Sequence, residues 1–440
     1  MGIQKRMRLW APMAVCASAA VAMISPGLAS AACTSTTGSG STLQTAIQQE
    51  VWTVTANNAS FLSKRGCTGV APKIDYNKPA GTGSGAGLHE FGIPSGALNK
   101  LLSANGVKLD GFIDTDDPPS AAQLAESSKA GQAPLLTVAT VSAPIALIMH
   151  PPSACKVSTN KFVITNIGLD EQWANKPTWT KYLSSLNIPS SGTCTATVIH
   201  EVRSDESGTS FAFKQYLSHI QTEPWSTFVK DNAEWPTETE AKTTHEELNG
   251  SKTLNKGSGG EALAVFNTEG SEGYVNLADA AKTGFKAWTK SNTKGFWGEL
   301  QNNGTKITGV TAAEPVAAVN ASGKTPGNCP TNALAFGTVP AGKPPVWEVQ
   351  LGGPNVAAGK YSLCTLTYDD FWASYSTTVL NTEYGGATAA TEVGNTMKAY
   401  CAFMVSEEGQ EDTEIKINFY SRVPTAVQEK GKELCEAIVA

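Results

Sequence analysis

The stretch Val202-Arg203-Ser204-Asp205-Glu206-Ser207-Gly208-Thr209-Ser210-Phe211 decides how this chain is read. The apolar run Thr197-Val198-Ile199 precedes it and a helical pattern over 210–220 follows it, so a strand feeds the stretch and a helix leaves it. At such a junction the helix N-terminus presents free backbone N–H groups and the positive end of its dipole. Ser207, Gly208 and Thr209 occupy that start, and Arg203 adds a planar fork of donors that fits an oxyanion. Asp205 is placed to orient Arg203 by an ion pair. A capped helix with a surface ion pair is the alternative for the same residues.

Three further segments share its character. Gly38-Ser39-Gly40-Ser41-Thr42-Leu43 leads into a helical pattern over 42–54. Its glycines let backbone approach a ligand, and Thr42 adds a hydroxyl; a flexible N-terminus with a Ser/Thr cap is the plain alternative. Gly81-Thr82-Gly83-Ser84-Gly85-Ala86-Gly87-Leu88 resembles a dinucleotide glycine pattern, but Pro79 interrupts any strand before it. It reads as a turn or as a small-anion loop using Ser84. Phe112-Ile113-Asp114-Thr115-Asp116-Asp117-Pro118-Pro119 sets three carboxylates near a turn without the glycine and distal glutamate of a calcium loop. Asp114 and Asp117 are expected in an Asx turn and helix cap.

The bulk composition bounds the rest. The 440 residues suit two lobes, and 41% hydrophobic with 16% charged residues is a globular composition. Lys5, Arg6 and Arg8, an apolar stretch over 9–23 and Ala29-Ser30-Ala31 read as a secretory signal peptide, residues 1–31. No acid lies in that leader, so the mature chain is three charges more negative than the formal −6. An acidic chain with no basic cluster excludes nucleic acid as a partner. Of nine cysteines Cys16 lies in the leader, leaving Cys33, Cys67, Cys155, Cys194, Cys329, Cys364, Cys401 and Cys435. An even set in an exported chain suggests four disulfides. Sequential pairing would close a modest loop each time, although eight cysteines allow about 105 pairings. Lipidation of Cys33 would leave an odd thiol, and the usual leucine three residues before it is missing, so a soluble mature form in the periplasm or at the cell surface is expected.

Catalytic patterns are thin. His89, His150, His200, His219 and His245 make no metal spacing, and no G-x-S-x-G elbow occurs. His200 is expected to pack, as are most of the ten scattered tryptophans. Neither an enzyme, a cofactor nor a metal is expected. Strand-like runs at 135–141, 143–149, 197–199, 262–266, 273–275 and 362–367 alternate with helical patterns at 42–54, 121–129, 179–186, 210–220, 387–404 and 425–439, which argues for an α/β fold. Residues 304–359 carry little periodicity and read as an irregular insertion stapled by Cys329.

Taken together, the four segments resemble the phosphate-binding subunit of bacterial phosphate ABC transporters, a class II periplasmic-type solute-binding protein. That family carries a first loop G-x-G-x-T-[FL], matched by Gly38 to Leu43. A G-x-G-S loop is matched by Gly81 to Ser84, and an [ST]-D-x-P turn by Thr115-Asp116-Asp117-Pro118. Its most specific motif, R-[SA]-D-x-S-G-T-[ST]-F, fits Arg203 to Phe211 at every fixed position. Leu43 stands where phenylalanine is usual, and the eight mature cysteines and the insertion are departures.

The resemblance implies two α/β lobes joined by hinge strands near 137–149 and 361–367. Residues 32–140 and 365–440 would form lobe one, and 141–364 lobe two with the insertion. It implies phosphate held by Thr42, Leu43, Ser84, Asp116, Arg203, Ser207, Gly208 and Thr209, with Asp205 behind Arg203. Phosphate would be delivered by a monomer to an ABC permease. Asp116, an acceptor only, would admit an anion that still carries a proton and repel sulfate. A binding protein for another oxyanion, or a secreted phosphate scavenger without a transporter, are the alternatives.

Overall fold

In a computed structural model, the structure describes residues 31–58, 61–68, 72–76, 83–100, 108–128, 131–174, 177–220, 235, 252–291, 294–301, 315–319, 327–333, 336, 360–415 and 419–440. The leader 1–30, Pro79 with Gly81 and Thr82, His245, the His219 side chain and most of 304–359 lie outside these residues.

One large sheet organises the molecule. Its main path runs in the order Lys252–Asn255, Ile199–Arg203, Ser271–Asn276, Leu135–His150, Cys364–Trp372, Phe112–Thr115, Thr36–Gly40, Ile74–Tyr76, and Phe296–Trp297, paired with Lys286–Ala287, adds to Leu135–His150 off that path. The first three are mutually parallel, as are the last three. The two long central strands pair antiparallel with each other and with both wings. Every residue of Leu135–His150 is buried, which is why the run is apolar on both faces and not alternating. The two runs expected at 135–141 and 143–149 are therefore one strand: Ser142 is buried inside it and pairs with Leu366.

Two hydrophobic clusters flank this central pair. One gathers Leu43, Trp52, Phe112, Leu136, Val141, Trp372, Tyr400 and Leu434. The other gathers Ile148, Trp173, Trp179, Val202, Phe213, Val265 and Tyr274. Membership changes between Ala143 and Ile145 on one central strand and, at the start of the other, between Leu363 just before it and Leu366 within it. Four disulfides pair the cysteines in sequence: Cys33–Cys67, Cys155–Cys194, Cys329–Cys364 and Cys401–Cys435.

Three local expectations are corrected. Residues 262–266 are helical, within Gly257–Asn267. Glu261, Ala262 and Val265 are buried there while Leu263 is 54% exposed, a helical and not an alternating burial. A short apolar run does not separate the two by periodicity alone. Residues 42–54 do not form one α-helix: Gln48–Trp52 is a π-helical turn between short α-helical pieces. Asp114 is no turn cap, because it sits fully buried in the Phe112–Thr115 strand with the Tyr76 hydroxyl 2.9 and 2.8 Å from its two carboxylate oxygens.

Candidate functional site

The sheet sets where a ligand fits. In open α/β sheets ligands lie beyond the carboxyl ends of parallel strands. Gly40, Thr115 and Arg203 are the last residues of three such strands, and Asn255 ends a fourth just before the Gly257–Asn267 helix. Three of the four sequence segments therefore leave from such strand ends, and Ser84 of the fourth opens the Ser84–Glu90 helix.

Arg203 is 2% exposed. Its Nε donates to Asp205 Oδ1 at 2.8 Å and one terminal nitrogen, Nη2, bonds Asp205 Oδ2. The other, Nη1, has no hydrogen-bond partner among the described residues. Burial opposes the Arg203 charge, yet the two bonds to Asp205 carry its pKa above the ordinary arginine value. Burial likewise opposes the Asp205 charge, and the guanidinium holds that carboxyl below the usual range. Asp205 Oδ1 also accepts the Gly257 N–H at 3.1 Å, which ties the Gly257–Asn267 helix to the same loop.

Asp116 is 1% exposed and lies where the segments meet. Ser41 Oγ donates to its Oδ1 at 2.6 Å and Thr209 Oγ1 to its Oδ2 at 3.4 Å. The Asp116 N–H donates to Ser84 Oγ at 3.1 Å. Gly208 closes on both: a β-carbon added there would stand 2.6 Å from Asp116 Cβ and 2.7 Å from Ser84 Oγ. Ser207 caps the Gly208–Ile220 helix through its Oγ, which accepts the Ser210 N–H at 3.2 Å. Neighbouring Asp117 is pushed up to about 7 by burial, against Lys214 and with help from the Asp116 and Glu206 charges.

Thr42 and Leu43 sit beside this centre. Thr42 Oγ1 accepts the Ser258 N–H at 3.4 Å, and the Leu43 N–H donates to Ser41 Oγ at 3.0 Å. The first glycines of that segment belong to the Thr36–Gly40 strand and not to a loop. A side chain at Gly38 would strike the Phe112 ring, so packing alone requires that glycine.

Sequence reasoning missed five residues here: Ser41, Gly83, Glu206, Gly257 and Ser258. Ser41 lay inside a quoted segment, and Gly257-Ser258-Gly259-Gly260 carries the same small-residue signal as the others. His200 and His150 pack elsewhere. His200 stacks on Trp173 at 4.5 Å, and the His150 Nδ1 lies 3.2 Å from the Val265 carbonyl. Among the described residues no group of three or more His, Cys, Asp or Glu side chains is placed to hold a metal, and no helix is long and apolar enough to cross a membrane.

Neither a scan against protein-family models nor a search of curated proteins gives a match. Solved structures do. A high affinity periplasmic phosphate-binding protein, PfluDING, solved with phosphate at pH 8.5, is similar with a TM-score of 0.54 and 17% identity, over 92% of this chain and 99% of its own. The ancestral soluble variant of the human phosphate binding protein has a TM-score of 0.56 and 16% identity, over 92% and 99%. A phosphate binding protein from Stenotrophomonas maltophilia has a TM-score of 0.52 and 15% identity, over 91% and 93%. Likeness at this identity speaks for architecture: the chain has the two-lobed α/β fold of periplasmic-type solute-binding proteins, crossed by two long strands and stapled by four disulfides.

Proposed function

We propose that this chain captures inorganic phosphate between its two lobes outside the cytoplasm and delivers it to an ABC permease. One lobe is formed by residues 32–140 and 365–440, the other by 141–364. The observation that carries the reading is the buried Arg203 guanidinium, fixed by Asp205 on one edge and, among the described residues, unpartnered at Nη1. A desolvated cation with a spare donor favours an oxyanion, since an unpaired buried donor is costly. Ser84, Thr209 and the N–H groups of Leu43, Gly208 and Thr209 supply further donors around it. Ser41 Oγ now holds the Leu43 N–H, a bond that a phosphate oxygen takes over on binding.

Asp116 sets the selectivity. A carboxylate accepts and does not donate, so it pairs with an oxyanion that retains a proton and repels one that does not. Phosphate near neutral pH retains one; sulfate does not. The PfluDING structure, solved with phosphate, shares this fold and supports the choice of ligand. The fold and the four disulfides fit an oxidising, exported location.

Titration calorimetry of the phosphate-stripped protein near neutral pH tests the reading. One-to-one phosphate binding without a sulfate response is expected, and Asp116→Asn narrows the gap between the two anions. Equal binding of both by the unaltered protein points to a general oxyanion receptor, and release of product from a chromogenic phosphate ester overturns the binding reading altogether. A permease gene beside this one would support delivery to a transporter, and its absence would favour a secreted scavenger.

A further inference from the structure

Resting on that reading, we infer that Gly83, Gly85 and His89 on one side of the cleft and Glu206 on the other form a closure lock. It touches no ligand, and it sets how long the closed state lasts. The Gly85 N–H donates to the Glu206 carbonyl at 3.2 Å, a backbone bond made across the cleft one residue away from Ser84 and Ser207. Four residues further along the Ser84–Glu90 helix, His89 Nε2 lies 3.2 Å from Glu206 Oε2. Leu88 packs into the first hydrophobic cluster, whereas Val202 and Phe213 on either side of Glu206 belong to the second, so the contact joins two separate cores.

The two glycines are demanded by the opposite side and not by their own backbone. A β-carbon at Gly83 would stand 2.5 Å from Asp205 Oδ2 and 2.9 Å from the Glu206 carbonyl. At Gly85 it would collide with the Glu206 side chain, with Cβ, Cδ and Oε2 all inside contact distance. Neither glycine has a positive φ. Alanine at 85 is therefore tolerated whenever the sides are apart and excluded only when they close.

The experiment follows phosphate binding and release by stopped flow in the full chain, with Gly85→Ala, Glu206→Gly, their double variant and His89→Ala. Gly85→Ala should release phosphate about tenfold faster with little change in the association rate. It should also unfold at the same midpoint as the unaltered protein when ligand-free. Glu206→Gly removes the atoms that alanine meets, so in that background Gly85→Ala should alter release by less than about twofold. His89→Ala, at an exposed position, should speed release by about threefold. Gly85→Ala that is equally harmful in both backgrounds, or that lowers the ligand-free midpoint, or that releases phosphate at the unaltered rate, overturns the lock. Failure of the unaltered protein to bind phosphate overturns the function itself and the lock with it.

Discussion

Glu90 has no exposed surface and faces another acid. Its Oε1 accepts the Asp110 N–H at 2.8 Å and its Oε2 accepts Ser39 Oγ at 3.4 Å. Burial, and then the Asp110 charge, push this carboxyl up to about 9 from an ordinary value of 4.5. Between those two values the folded chain keeps a proton that the unfolded chain has released. The stability this group supplies is thus full below about pH 4.5 and is lost as pH rises through about 9. The slope from one such group is at most about 1.4 kcal/mol per pH unit. Urea midpoints should fall from mildly acidic to alkaline pH, and Glu90→Gln should flatten that fall; equal slopes in both proteins would contradict the assignment. None of this was legible in the sequence. Glu90 stands in an ordinary helical context, and its partner lies twenty residues away, just before the Phe112–Thr115 strand. The residues gathered around Asp116 were legible for a different reason: donors suited to an anion come from short local runs of Gly, Ser and Thr, which keep their spacing wherever the fold places them. Ser41 was missed because its part is to orient Asp116, a contact 75 residues apart in sequence.

The Gly257–Asn267 helix shows what a single element does and does not reveal. Its start carries three glycines, which read as loop, and its middle carries five apolar or small residues, which read as strand. The helix exists because Ser258, Glu261, Ala262 and Val265 share one buried face. Its glycines are not equivalent. Gly257 has φ +71 and lies against Thr42, so it is required. Gly259 and Gly260 have no atom within 4 Å of an added β-carbon and no positive φ. Alanine at either should stabilise the protein by about 0.5–1 kcal/mol, because it restricts the unfolded chain and suits the helix. A rise in the denaturant midpoint at unchanged m-value is the expected result, and a fall would mean that the helix start has to flex. Elsewhere element type followed periodicity closely: the pattern at 387–404 is the helix Ala387–Met404, and that at 179–186 is Trp179–Ser185. The strand ends were less legible. The Ile199–Arg203 strand begins where the apolar run stops and holds His200, Glu201 and Arg203 buried, with Glu272, Asn255 and Asp205 respectively against their polar ends.

At the scale of the molecule, the two-core plan rests on two strands that belong to both halves, and the alternation of runs foretold it only as a fold class. The Cys329–Cys364 staple follows the sequential pairing expected from the sequence, which did not reveal what the staple packs against. Cys329 belongs to the first core, and its disulfide partner Cys364 packs against both, at the point where the Cys364–Trp372 strand passes between them. Around it the Gly327 N–H donates to the Tyr420 carbonyl at 2.9 Å and the Cys329 N–H to Ser421 Oγ at 3.3 Å. The Ser421 N–H in turn donates to the Ser142 carbonyl on the other crossing strand at 2.8 Å. The staple thus braces both crossings from one side. Its sequence separation of 35 corresponds to about 4 kcal/mol in the chain-entropy account of disulfides. Replacing both cysteines together, Cys329→Ala with Cys364→Ala, leaves no odd thiol and should lower stability by up to that amount. No residue proposed to hold phosphate lies in the closed loop, so the equilibrium affinity should stay within about twofold. If affinity falls along with stability, the brace also fixes the angle between the cores. The Cys329–Cys364 bridge would then belong to the closing machinery and not to stability alone.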